Sequence, residues 1–417
     1  MLDVALVRKQ FPALERPIIF FDNPGGTQAA RQTLEGYQYY LTNCNANHGG
    51  EFVTSRESDA LIDETRAVAA DFLNAARPEE IVFGQNMTSL TYILSRAIVK
   101  TFRPGDTILV THLDHDANIS PWVQAAEERG INIRWVDFNP SDGKLNLDDL
   151  STALKESPRL LAVGYSSNAL GTINPIEKII QMAKESGTLV YVDAVQFAPH
   201  GCIDVRKLGC DFLVCSAYKF FGPHLGILFG RYDLLEKIPA FRVRPAPALP
   251  PGKFETGTAP FETISALNGT FNYFKWLGET FGQSDNLENE KEISGRRHSF
   301  VNAMKAIHAY EISLTEHMMM GLRNLNGVHI YGPHDIEDLE VRVPTFSFTV
   351  KGWQPRDVAI EMDRRGINVW QGNFYALAVT QRLGLEDKGG LVRVGPVHYN
   401  TIDEVEKCLG VLSGLVS

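Results

Sequence analysis

Between about residue 60 and residue 235, short apolar runs alternate with amphipathic stretches. Glu80-Ile81-Val82-Phe83, Thr107-Ile108-Leu109-Val110, Ile131 to Val136, Leu160 to Tyr165, Leu189 to Val192, Phe212 to Cys215 and Gly226 to Phe229 read as strands. Leu61 to Asn74, Ser120 to Arg129 and Ile176 to Ser186 have helical spacing. Alternation of this kind predicts an α/β fold, a mainly parallel sheet with helices on both faces.

The flanking regions have a different texture. Val4 to Leu14 has helical spacing, Ile18 to Phe21 is strand-like, and Asp22-Asn23-Pro24-Gly25-Gly26 forces a turn. The proline-rich stretch Arg242 to Pro251 reads as a linker or rigid loop. A long helical region is expected from about Ile264 to Leu325, then strands at Thr345 to Val350, Ile367 to Trp370 and Leu391 to Val394. A helix near Pro355 to Arg365 and a last one from about Thr401 complete a smaller α+β C-terminal domain. The expected division is an N-terminal segment 1–18 packing on the small domain, a large domain 19–262 and a small domain 263–417. No internal repeat or low-complexity segment stands out.

Composition narrows the functions. A chain of 417 residues can build two domains around a substantial core. Its formal charge of −10 argues against a nucleic-acid surface or a polybasic membrane patch. No apolar run approaches the roughly 20 residues that span a bilayer. Asp3, Arg8 and Lys9 make the N-terminus unlike a secretory signal, so a cytoplasmic protein is expected. Five cysteines without CxxC spacing point to reduced thiols. His112, His115 and Asp116 lack a nearby downstream histidine, so no metal is expected.

The candidate chemistry follows the strands. Lys219, in Ser216-Ala217-Tyr218-Lys219, lies just beyond one apolar run, where desolvation lowers an amine's pKa and suits it to Schiff-base chemistry. Asp193 ends another run, in Val192-Asp193-Ala194-Val195-Gln196. A lysine amine and a carboxylate for a pyridinium nitrogen are what pyridoxal phosphate requires. Taken singly, Lys219 can cap a loop and Asp193 can start a helix. Further polar groups follow other strands: Asn86 to Ser89, His115 to Asn118 and Ser166 to Asn168. Ligands of open α/β sheets sit at such strand ends. Thr88 and Ser89 open an apolar helix and offer an anion site, although Thr88 taken alone reads better as a plain helix cap.

Together these motifs resemble the class V aminotransferase family of pyridoxal phosphate enzymes, and within it the cysteine desulfurase and selenocysteine lyase branch. The resemblance runs from Phe21 to the strand holding Arg393 and is most specific at the Asp193 and Lys219 motifs and at Phe254-Glu255-Thr256-Gly257-Thr258. It implies the aspartate aminotransferase-like fold type I with a seven-stranded sheet. It also implies that Lys219 carries the cofactor and moves the α-proton, and that Asp193 pairs with the ring nitrogen. Gln196 would bond the ring oxygen, and Asn168 would lie by the ring and the substrate carboxylate. Thr88, Ser89, Ser216 and Tyr218 would hold the phosphate, and Asp116 falls in the ring-stacking motif. Thr258 would reach the partner's phosphate in a homodimer, and Arg393 would clamp the substrate's α-carboxylate.

Three departures bear on function. The family's stacking histidine aligns with Asp116, so either the loop presents His115 or a carboxylate faces the ring. Tyr218 stands where a histidine often precedes the lysine. The loop from Gln371 to Tyr375, which carries a nucleophilic cysteine in desulfurases, has none. The resulting expectation is a lyase that releases sulfur or selenium from a cysteine-derived amino acid without an enzyme persulfide. The alternatives are a class V aminotransferase, an epimerase, or a non-catalytic homologue that binds a partner.

Overall fold

The computed structural model describes residues 2–282 and 295–416. The chain begins with helix Val4–Arg8, capped by the Asp3 carboxylate, which accepts from Leu6 N–H at 3.1 Å. The longer helix expected here stops before Pro12, which lacks an N–H and opens a separate 3₁₀ turn, Pro12–Glu15. Strand β1 (Ile19–Phe20) follows.

The strands β2 (Ile81–Gly84), β3 (Thr107–Thr111), β4 (Asn132–Val136), β5 (Leu160–Gly164), β6 (Leu189–Asp193), β7 (Phe212–Ser216) and β8 (Gly226–Gly230) form one sheet. Their order is β2-β8-β7-β6-β5-β3-β4, with β8 antiparallel to both neighbours and the other pairs parallel. The chain passes from β3 outward to β4, then returns to β5 on the other side of β3. The loops after β3 and β5 therefore diverge and open a crevice at the strands' carboxyl ends. Alternate residues pack on opposite faces: Val163, Val192 and Leu213 join one core, Ala162, Tyr191 and Val214 the other. Burial on both faces is why β5, β6, β7 and β8 are nearly continuous apolar runs.

Strands β9 (Val328–Tyr331), β10 (Phe346–Val350), β11 (Ile367–Asn368), β12 (Trp370–Gly372) and β13 (Leu391–Val394) complete the set. A four-stranded antiparallel sheet runs β12-β13-β10-β9 and packs Phe346, Phe348, Val392 and Val394 against Leu314, Met318 and Leu322. The single strand expected at Ile367 to Trp370 is two: β11 pairs in parallel with β1, whereas β12 joins the small sheet. Residues 19–20 thus pair with the C-terminal part of the chain, although the sequence groups them with the large domain. The expected boundary at 262 falls in the first turn of helix Phe261–Phe281. The expected long helical region comprises that helix and Gly295–Arg323, its part at 283–294 lying outside the described residues. No described helix is long and apolar enough to cross a membrane.

Candidate active site

A cavity of about 600 Å³ lies at the carboxyl ends of the large sheet's strands. It adjoins a cleft of about 480 Å³ walled by the small sheet, and His115, Asn168, Tyr218 and Lys219 line both.

Strand β7 delivers Lys219 through the 3₁₀ turn Ala217–Lys219. Its Nζ donates to the Pro24 carbonyl and lies 5.0 Å from the Tyr218 ring centroid. Desolvation, reinforced by the Arg393 charge and opposed by Asp193, lowers its pKa to about 7, so a large fraction of the amine is unprotonated near neutrality. Asp193 is buried at the end of β6, where Val195 N–H donates to it at 2.9 Å. Burial raises its pKa to about 7, Asp114 adding to the rise while Val195 N–H and Lys219 oppose it. Gln196, also buried, donates to Thr345 Oγ1 at 3.0 Å and so ties this loop to the small domain.

Helix Met87–Ile98 aims its N-terminus into the cavity. Its cap is Asn86, whose Oδ1 accepts from Ser89 N–H at 2.8 Å and Ser89 Oγ at 3.0 Å. Ser216 Oγ accepts from Met87 N–H at 3.1 Å, fastening the helix to β7. Thr88 lines the cavity, and its hydroxyl meets only Met87 Sδ, 3.9 Å away. Tyr218 stacks on His224 with centroids 4.8 Å apart, and both line the cavity.

In the loop after β3, His115 lines the cavity and Asp116 does not. Asp116 instead accepts from Ser120 Oγ at 2.6 Å, and its N–H donates to the Tyr375 carbonyl at 2.7 Å. That pairing turns the loop so that His115 faces inward. Burial, then the Lys219 and Arg393 charges, lower the His115 pKa to about 3, so its ring is neutral. Its Nδ1 accepts from Ala117 N–H at 3.0 Å, which assigns the remaining proton to Nε2. Asp114, which sequence reasoning passes over, also lines the cavity and accepts from Gly164 N–H, Thr111 Oγ1 and Asn118 Nδ2 at 2.9, 2.8 and 2.6 Å. Burial, opposed by these three bonds, raises its pKa to about 6.

The cleft holds Arg393, buried on β13, whose Nη1 donates to the Asn168 carbonyl at 2.9 Å. Desolvation brings its pKa down to about 9 against the charge of Asp22. The Phe374 ring covers its guanidinium at 4.3 Å, and the Phe374 carbonyl accepts from Asn168 Nδ2 at 2.9 Å. Phe374 and Tyr375 are both left-handed, with φ of 57° at each, a costly backbone for two non-glycine residues in succession. Tyr375 stacks parallel to His115 at 5.7 Å and is 75% exposed at the mouth. A Cβ on Gly25 would lie 2.2 Å from Trp370 Nε1, so only glycine lets this wall close. Thr258 is exposed and lines neither space.

The arrangement joins a near-neutral amine, a buried carboxylate, a helix N-terminus and a buried guanidinium. The chain as a whole is similar to known proteins. A model of the aminotransferase class-V family matches residues 19–296 and 300–408. The "aminotransferase-like protein FGM3" of Gibberella zeae is 35% identical, covering 97% of this chain and 96% of its own. A "probable cysteine desulfurase" of Synechocystis sp. is 31% identical, covering 99% and 95%. The apo structure of a cysteine desulfurase from Thermococcus onnurineus NA1 superimposes with a TM-score of 0.86 at 29% identity, covering 100% of this chain and 98% of its own.

Proposed function

The chain belongs to the aminotransferase class-V family and is a pyridoxal phosphate-dependent lyase or transferase of cysteine desulfurase-like type, and from that premise we propose its reaction. It is a carbon–sulfur (or carbon–selenium) lyase of a cysteine-derived amino acid that forms no enzyme persulfide. The observation carrying this reading is the absence of a thiol from the two joined cavities: Tyr375 stands at the cleft mouth, and none of the five cysteines lines either space. Cys44, Cys210, Cys215 and Cys408 are buried, and burial pushes the Cys210 and Cys408 thiols up to about 12. Such thiols are not nucleophiles near neutral pH.

The residues present fit the cofactor. Ser166 Oγ and Asn168 Oδ1 are buried on the cavity wall without hydrogen-bond partners among the described residues, a state that a polar guest relieves. Lys219 would hold the cofactor, Asp193 would face the ring nitrogen, Gln196 the ring oxygen and neutral His115 the ring face. Thr88, Ser89, Ser216 and Tyr218 would hold the phosphate at the helix N-terminus. Bound there, pyridoxal phosphate supplies a ring that withdraws electrons from the substrate's Cα. Arg393 and Asn168 orient the α-carboxylate, and Lys219 takes the Cα proton at Nζ. Asp193 keeps a proton on the ring nitrogen, while the Phe374 and Tyr375 loop restricts water. A disulfide or sulfoxide sulfur leaves without help from a thiol; cystine and water give pyruvate, ammonia and thiocysteine.

The same reading makes the protein a homodimer, with Thr258 serving the neighbouring subunit's phosphate. It is supported by the exposure of Thr258 and of Phe241, Val243 and Leu249 in the preceding segment.

The deciding experiment offers the holoenzyme cystine, cysteine S-conjugates and other amino acids, and measures pyruvate, ammonia, sulfide and 2-oxo acids separately. Equal pyruvate and ammonia from the sulfur substrates are expected. Amine transfer to an added 2-oxo acid without pyruvate, or Cα proton exchange alone, would overturn the proposal in favour of an aminotransferase or an epimerase.

A further inference from the structure

A third cavity, of about 340 Å³, shares no lining residue with the two described above. Four separate parts of the chain wall it: the loop after β5, the loop after β6, the helix Gly295–Arg323, and the segment leading into β10.

Two features of its lining call for an occupant. The first is Arg342, which is buried and yet makes no ion pair among the described residues. Asp338, the carboxylate whose charge acts on it, is already paired with Lys144 at 2.8 Å. Arg342 Nη1 and Nη2 donate to the Pro333 and Thr345 carbonyls, its guanidinium lies 3.9 Å from the Phe346 centroid, and its Nε has no partner among the described residues. Desolvation brings its pKa down to about 9. A buried cation without an anion is costly to maintain. The second feature is an aromatic and apolar wall. Tyr165 and Phe197 stack face to face with centroids 3.8 Å apart and planes 4° apart, and Met304 and Ile312 extend the apolar lining.

The two carboxylates on the lining already have partners. Glu311 is paired with His200 at 2.8 Å, and Glu340 with His308 at 3.3 Å. Lys305, exposed on the helix, forms no ion pair among the described residues. We infer that this cavity binds a small planar carboxylate, an aromatic acid whose ring lies along the Tyr165–Phe197 wall and whose charge answers Arg342 and Lys305. An occupant there touches the machinery of the active site indirectly. Arg342 Nη2 donates to the Thr345 carbonyl, and Thr345 Oγ1 accepts from Gln196.

Calorimetric titration of the holoenzyme with benzoate tests the inference. The titration uses an Arg393→Gln background, because Arg393 is itself suited to a carboxylate. One benzoate per chain is expected, with a Kd of about 1 mM or tighter. Benzamide, which keeps the ring and lacks the charge, should bind at least about tenfold more weakly, as should acetate, which lacks the ring. Ile312→Trp, which fills the half-exposed wall, should abolish binding, and Lys305→Glu should weaken it at least about tenfold. No benzoate binding at about 10 mM, equal binding of benzamide or acetate, or binding that survives Ile312→Trp would each overturn the proposal. If either variant fails to fold, the contrast among the three small molecules decides alone.

Discussion

Replacing Asp193 with asparagine should make the cofactor-free protein more stable and the enzyme far slower. In the folded protein its pKa is raised from 3.8 to about 7, chiefly by burial. The unfolded chain releases this proton near 3.8, so the folded state binds it more tightly. Stability is therefore greatest below pH 4, falls as pH rises, and has lost this whole contribution above about pH 7. At about 1.4 kcal/mol per pKa unit, the ionised carboxylate costs the cofactor-free protein about 4 kcal/mol at pH 8 and about 1–2 kcal/mol at pH 5. Asparagine retains the acceptor for Val195 N–H and carries no charge. For a chain of this length, 4 kcal/mol is a rise of roughly 4–5 °C in Tm. With the cofactor bound the sign reverses, because the carboxylate then faces a cationic ring nitrogen. The variant should hold the cofactor less tightly and lose at least about a hundredfold in turnover, or roughly 3 kcal/mol. Thermal unfolding of the cofactor-free and loaded proteins at pH 5 and 8, with turnover measured alongside, is the assay. Equal Tm for wild type and variant at pH 8, the same gain at both pH values, or near-normal turnover would refute the reasoning.

Lys219→Ala should abolish both the visible absorbance of the purified protein and borohydride trapping of the cofactor; retention of either removes Lys219 from its assigned role. Arg393→Lys keeps the charge but loses the planar fork, so kcat/KM should fall at least about tenfold with cofactor content unchanged. Equal wild-type rates on amino-acid amides and acids would contradict that assignment. Cys→Ala at each of the five positions should leave turnover within a few-fold, and loss of turnover in one variant that keeps its cofactor spectrum would restore a persulfide mechanism. Light scattering should find a dimer, and Thr258→Ala should loosen the cofactor; a fully active monomer at assay concentration would exclude the shared site.

The parts of the fold legible in the sequence are those whose burial leaves a simple pattern. Strand β5 is buried at every position and reads as an uninterrupted apolar run. Helix Arg31–Asn43 does not, because Leu34, Tyr39 and Leu41 are exposed while Thr33 is buried. Strand β9 interleaves His329 and Tyr331 with its apolar residues and buries only Ile330, so its pattern is too short to register. The same division holds at the site. Asp193 ends a strand and Lys219 and Gln196 stand just beyond strands, so finding the strands finds them. Asp114 resembles any acid in a polar loop until β5 pairs with β3 and brings Gly164 N–H to it. The choice between His115 and Asp116 depends on the Tyr375 carbonyl, and the cover over Arg393 on Phe374. Both contacts join distant parts of the chain, and local pattern carries no trace of them.

The pairing of β1 with β11 also sets an order of events during synthesis. Ile19 and Phe20 leave the ribosome long before Ile367 and Asn368, their partners. At roughly 5–20 residues per second, the N-terminal strand waits tens of seconds for its neighbour. Only a few positions beyond that strand is Pro24, whose carbonyl accepts from Lys219. A nascent chain can build the seven-stranded sheet and present its lysine while this contact is still unanchored. Closing so long a loop is slow but adds little entropy cost per added residue, so the delay is kinetic. Chains stopped short of residue 367 should therefore carry a folded large sheet with an unfinished cofactor pocket.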